Sequence, residues 1–145
     1  MANPMYGQNK DDSQLDAARA GAGGGYLAIT ADTTLVAADA GVVTWVSNGI
    51  DVTLPAHEKG LTFHFIQSAA YSTAVCQVIS ADGNDWLGQI NAVTGIGDPS
   101  TTTDDKVIWG SGTLAGDMIS IVSTGSKWIV YNSFSSVTSN GVIFG

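Results

Sequence analysis

Between Tyr26 and Gly145 the chain never runs far without meeting Gly, Pro, Asn, Asp or Ser, and the stretches between these breaks are short and rich in β-branched or aromatic residues. The runs YLAIT, TTLVAA, VVTWVS, DVTLP, LTFHFIQ, AVCQVIS, DWLGQI, KVIWG, MISIVS and KWIVYNS each have the length and composition of a strand. A final NGVIFG adds an eleventh candidate. No long segment carries a 3.6-residue apolar period, so no helix competes with them. Charged residues make up only 12% of the chain, and glycine fills 18 positions. That balance suits strands joined by tight turns better than helices with charged outer faces. The expected fold class is all-β, with the regular spacing of a β-sandwich or jelly roll.

One hairpin can be placed in register. Gly125-Ser126 suits a two-residue type II′ loop with glycine first. This loop pairs Ser123 with Trp128, Ile121 with Val130 and Ile119 with Asn132 on one face, and Val122 with Ile129 and Ser120 with Tyr131 on the other. Apolar pairs on both faces mean that neither belongs fully in water. One face is expected to meet the core, the other a second sheet or a neighbouring subunit. The tail Val142, Ile143 and Phe144 is apolar where chain ends are normally polar, and burying each side chain is worth about 1.5–3 kcal/mol. It is expected as a last strand or as a contact with another chain. Ile119, Ile121, Val130, Val142, Ile143 and Phe144 are therefore the candidate subunit-interface residues.

The first 25 residues differ from the rest. They hold two of the five basic residues, Lys10 and Arg19, and close on a glycine run. Ser13 could cap two turns of helix, but a helix that short is marginal alone. Residues 1–25 are expected to form an arm that orders on contact with a neighbour, through Met5, Tyr6, Lys10, Leu15 and Arg19. Residues 26–145 form the all-β body, a size suited to one domain.

Thirteen acids against five bases give a net charge of −8. Such a surface repels phosphate, which argues against nucleic acid as a partner. A single cysteine, Cys76, allows no intrachain disulfide and sits in an apolar run, as a small buried hydrophobe would. No secretory signal or stretch of ~20 apolar residues is visible. A soluble protein made in a reducing cytoplasm, with no membrane partner, is the expectation.

Chemistry-bearing motifs are scarce. His57 and His64 flank a turn at Lys59-Gly60, and His64 alternates with Phe63 and Phe65, so it is expected to point away from the phenylalanine face. A zinc site would need a third ligand, and neither Cys76 nor Glu58 stands at a metal spacing. A Ser-His-Asp triad is compatible with the residue counts, but there is no GxSxG elbow, Walker loop or dinucleotide fingerprint. Asp82, Asn84 and Asp85 have some look of a calcium loop, but Val93 stands where an EF-hand needs its twelfth-position Glu. Trp86 and Trp109 could form a sugar platform if exposed, although core burial is the commoner fate of tryptophan. The expectation is a non-enzyme with no catalytic, cofactor-binding or metal residues.

Three segments, taken in order, resemble virion proteins of tailed bacteriophages, namely capsid decoration (cement) proteins and some tail-fibre modules. They are AADAGVVTWVSNGIDVTLPAHEKGLTFHFIQ, ISADGNDWLGQ and GDMISIVSTGSKWIVYNS, together spanning residues 37 to 133. In the second, Trp86 stands where that family usually has a smaller apolar residue. By this resemblance Asp85 caps a turn, Gly88 permits close backbone approach, and the body is a jelly-roll or tulip-like sandwich. The resemblance further implies a homotrimer on the outer surface of a capsid, bound to the major capsid protein. It leaves a second function class open: a fibre or receptor-binding tip recognising a host glycan through Trp86 or Trp109, with acidic loops around Trp86 and Asp98 facing outward. A secreted carbohydrate-binding sandwich or hydrolase fits less well, lacking a visible signal peptide and paired acids.

Overall fold

The computed structural model describes residues 26–83, 85–92, 98–136 and 141–145. The arm residues Met5, Tyr6, Lys10, Leu15 and Arg19 lie outside the described residues. The body is all-β. In chain order its strands are β1 (Tyr26–Ile29), β2 (Thr33–Thr34), β3 (Val43–Val46), β4 (Asp51–Thr53), β5 (Thr62–Gln67), β6 (Cys76–Ile79), β7 (Trp86–Ile90), β8 (Asp98–Pro99), β9 (Lys106–Trp109), β10 (Met118–Ser123), β11 (Trp128–Phe134) and β12 (Val142–Phe144). They form a seven-stranded sheet, ordered β1-β3-β5-β10-β11-β7-β8, and a five-stranded sheet, ordered β12-β9-β6-β4-β2.

The first six strands alternate between the two sheets. Strands β1, β3 and β5 lie parallel in the larger sheet, and β2, β4 and β6 lie parallel in the smaller one. Parallel neighbours need a long connection between them, and here the strand contributed to the opposite sheet serves as that connection. Among the described residues, five of the ten strand pairings are parallel. The expected sandwich is present, but the antiparallel Greek-key order of a jelly roll does not describe these connections.

Period-two alternation builds the core. Phe63 and Phe65 of β5, Ile119 and Ile121 of β10, and Trp128 and Val130 of β11 face Val52, Val78, Val107 and Trp109 of the smaller sheet in one buried cluster. Phe65 meets Trp109 edge-on, with ring centroids 6.5 Å apart, and Trp86 meets Phe144 at 6.2 Å. Cys76 is buried as expected. Burial first, and then the Asp51 charge, pushes its thiol up to about 12.

The β10–β11 hairpin turns at Gly125, whose φ of +96° fits glycine in the first loop position. Ser123–Trp128, Val122–Ile129 and Ile121–Val130 pair as the turn dictates, and then the register shifts so that Ser120 pairs with Asn132 and Ile119 with Ser133. Tyr131 is the extra residue of a β-bulge. This corrects the simple register, which joined Ile119 to Asn132. The bulge leaves Tyr131 and Asn132 both exposed and turns Ser133 inward.

The tail is the last strand. β12 pairs antiparallel with β9. The Phe144 N–H donates to Asp98 Oδ2 at 2.7 Å, and the Val142 N–H to Ser135 Oγ at 3.0 Å. Ile119, Ile121, Val130, Val142 and Phe144 are consequently buried in the chain's own core, and Ile143 lies half-buried beside Ile108. As subunit-interface candidates the five core residues are misplaced, because their side chains already face the opposite sheet. Among the described residues, the hairpin's other face is the one that no second sheet covers.

Candidate functional site

That uncovered face extends well beyond the hairpin. Strand register aligns Ala28, Trp45, Ile66, Met118 and Phe134 in one row across β1, β3, β5, β10 and β11. A second row runs Val43, His64, Ser120 and Asn132, with Tyr131 bulged out beside it. A third runs Thr62, Val122, Ile129 and Leu87. None of these residues carries a formal charge, in a chain whose net charge is −8. Trp45, Leu87, Tyr131 and Phe134 are 39–53% exposed. Four large apolar side chains exposed on one uncharged sheet face mark an interaction site more often than a solvated face.

His64 is held within this face. Its Nδ1 hydrogen-bonds with Ser120 Oγ at 2.9 Å, and Tyr131 stands edge-on to its ring at 6.4 Å. It points away from the phenylalanines, as alternation requires. The outer face of the smaller sheet differs, since it carries Asp51, bonded by Gln77 Nε2 at 3.0 Å, and Lys106.

The loops at one end of the sandwich hold the second cluster of chemistry. The segment between β4 and β5 carries His57, and the segment between β6 and β7 carries Asp82 and Asp85. His57 Nε2 is hydrogen-bonded to Asp85 Oδ2 and lies 3.7 Å from Asp82 Oδ2, while its Nδ1 is 3.3 Å from Ser123 Oγ. Ser80 Oγ donates to Asp85 Oδ2 at 2.6 Å. The Trp128 ring packs on the imidazole at 5.2 Å, and the Trp128 N–H binds the Asp85 carbonyl oxygen at 2.9 Å. Ser123, His57 and Asp85 thus stand in the contact order of a hydrolytic triad. Ser123, however, is 2% exposed, and its Oγ accepts the Gly125 N–H at 3.1 Å, so the hydroxyl is sealed beneath the turn. A shallow cleft of about 330 Å³ nearby, lined by Trp86, Leu87, Ser100, Thr101, Thr102 and Lys127, contains no pair of acidic groups.

Several expectations for the loop tips change. Trp86 and Trp109 are buried, Trp86 against Phe144 and Trp109 with its Nε1–H donated to the Asp117 carbonyl at 3.1 Å. Neither offers a sugar platform, and Asp98 is turned to the tail. Gly88 does permit a close approach, because a Cβ there would lie 2.6 Å from the Val130 carbonyl oxygen. The exposed indole is Trp45, which the sequence did not single out; its place opposite buried Thr44 and Val46 in the alternation of β3 was the available signal. The His57–Asp85 contact joins residues 28 positions apart, and no local motif announces it. No protein-family model matches the chain, and no curated protein matches it.

Proposed function

We propose that this chain is a structural virion protein that docks through the uncharged outer face of its larger sheet and decorates the exterior of a phage capsid as a trimer. The observation that carries the reading is the face itself, three rows without a formal charge, presenting the exposed apolar side chains Trp45, Leu87, Tyr131 and Phe134, on a chain of net charge −8. Like-charged copies repel one another over most of their surface, so they approach most easily where charge is absent. The occupant of this face is accordingly a second copy of the chain. Capsid attachment then falls to the arm, through Met5, Tyr6, Lys10, Leu15 and Arg19, with three arms per assembly gaining by avidity.

The role needs no chemistry. A protein that binds only the assembled lattice stabilises it by its binding free energy. The acidic surface favours the outside of the shell over the DNA side, where packaged phosphate would repel it. The capsid as partner rests on the resemblance of residues 37 to 133, and the uncharged face supports a docking role of that kind. The glycan-binding tip loses its two candidate platforms with the burial of Trp86 and Trp109.

Particles stripped of the protein are expected to rupture at lower temperature and to regain their resistance when it is added back. Stripped particles that are equally robust but fail to adsorb to cells would replace this reading with the receptor-binding one.

A further inference from the structure

We propose that His57, Asp82 and Asp85 form a binding site for a divalent transition-metal cation, best matched by zinc, which ties together two loops at one end of the sandwich. One ligand atom from each residue lies within 4.8 Å of the other two. They come from separate segments, the imidazole from the β4–β5 connection and both carboxylates from the β6–β7 connection. A neutral imidazole nitrogen with two carboxylate oxygens is a donor set zinc accepts, leaving a fourth position for water. Calcium prefers six or more oxygen ligands and is a poor match.

Hydrogen bonding to Ser80 and His57 satisfies one oxygen of the Asp85 carboxylate but not the other. A single proton on Nε2 can serve Asp85 Oδ2, but Asp82 Oδ2 at 3.7 Å is beyond hydrogen-bond reach. Asp85 is 5% exposed, and its Oδ1 is buried with no hydrogen-bond partner among the described residues. An unmatched buried carboxylate oxygen is costly. A cation held by the three residues would supply the buried Asp85 carboxylate with the partner it lacks, with half-exposed Asp82 completing the donor set.

The surroundings match those of a metal site. Ligating histidines commonly donate their other ring N–H to an acceptor, and ligating carboxylates are themselves hydrogen-bonded. Here Nδ1 of His57 faces Ser123 Oγ, and Ser80 Oγ donates to Asp85 Oδ2. Trp128 fixes the imidazole plane and the Asp85 backbone. The Asp82 side chain is 52% exposed, which provides the entry path that a bindable site requires.

The test uses the full chain, first treated with a chelator and then titrated with zinc chloride, with stoichiometry read by native mass spectrometry and stability by thermal unfolding. One zinc per chain is expected. At a free concentration one hundred times Kd, the folded-to-unfolded ratio should rise about a hundredfold, raising Tm by roughly 5–10 °C. Calcium at the same concentration should leave Tm unchanged. Asp82→Asn removes a ligand at an exposed position and should fold with an unchanged metal-free Tm yet lose the zinc response. His57→Gln should lose the response too, whereas His64→Gln should keep it. A wild-type chain indifferent to zinc, or an Asp82→Asn chain with the full zinc response, would overturn the proposal.

Discussion

At the scale of single residues, the clearest constraint is Gly88. Its φ of +123° and the Val130 carbonyl oxygen, 2.6 Å from the position of a Cβ, leave no room for a side chain. Gly88→Ala should destabilise the fold by about 1–3 kcal/mol, visible as a lower denaturant midpoint; an unchanged midpoint would mean that β7 and β11 do not pack this closely. Cys76 makes the second residue-scale prediction. Its thiol is raised from 9.0 to about 12, so the folded state favours the protonated form. The stability attached to that form is fully present below pH 9 and is lost as pH climbs toward 12, because the unfolded chain releases its proton first. At pH 8 an alkylating reagent should therefore modify Cys76 only after denaturant is added; rapid labelling of the native chain would contradict its burial. Gly88, Cys76 and the outward direction of His64 were legible because each follows from local pattern. The meeting of His57 with Asp85 was not, since it depends on which loops the strand order brings to one end.

Among elements, composition and punctuation located nearly every strand, and the Gly125-Ser126 loop set the hairpin register near the turn. Three features escaped the pattern. The two residues of β8 are too few to show a period, and the bulge at Tyr131 inserts one residue into an otherwise regular alternation. Parallel winding of the first six strands leaves no local signature, because period two reports which face a side chain takes and not which strand lies beside it. The tail illustrates the limit well. Its apolar sequence indicated burial but could not distinguish an intrachain strand from a contact with another chain. With Phe144 packed on Trp86 and its N–H bound to Asp98, Phe144→Ala should cost about 3–5 kcal/mol of monomer stability, measured by chemical unfolding at low concentration. A loss confined to association, with the monomer unaffected, would restore the intersubunit role.

For the whole molecule, the distribution of charge matters more than its total. The acids lie in the arm, in turns and loops, in β4 of the smaller sheet and in β8 at the edge of the larger one, where Asp98 is turned to the tail, while the rows through Trp45, His64 and Val122 have none. The sequence revealed the acidity and the surplus of apolar faces, but the hairpin alone did not say which of its faces meets the core. Only the full strand order shows that the Ile119 face closes the core while, among the described residues, the Met118–Phe134 face has no sheet against it. Trp45 and Phe134 are 39% and 44% exposed, so replacing both with glutamate should leave the monomer's unfolding midpoint unchanged while placing charge where copies are proposed to meet. Sedimentation velocity at micromolar concentration tests this most directly. The wild-type chain should sediment as a trimer, and the Trp45→Glu, Phe134→Glu chain as a folded monomer. A wild-type chain that sediments as a monomer, or a double variant that still assembles, would contradict the assignment of this face to docking.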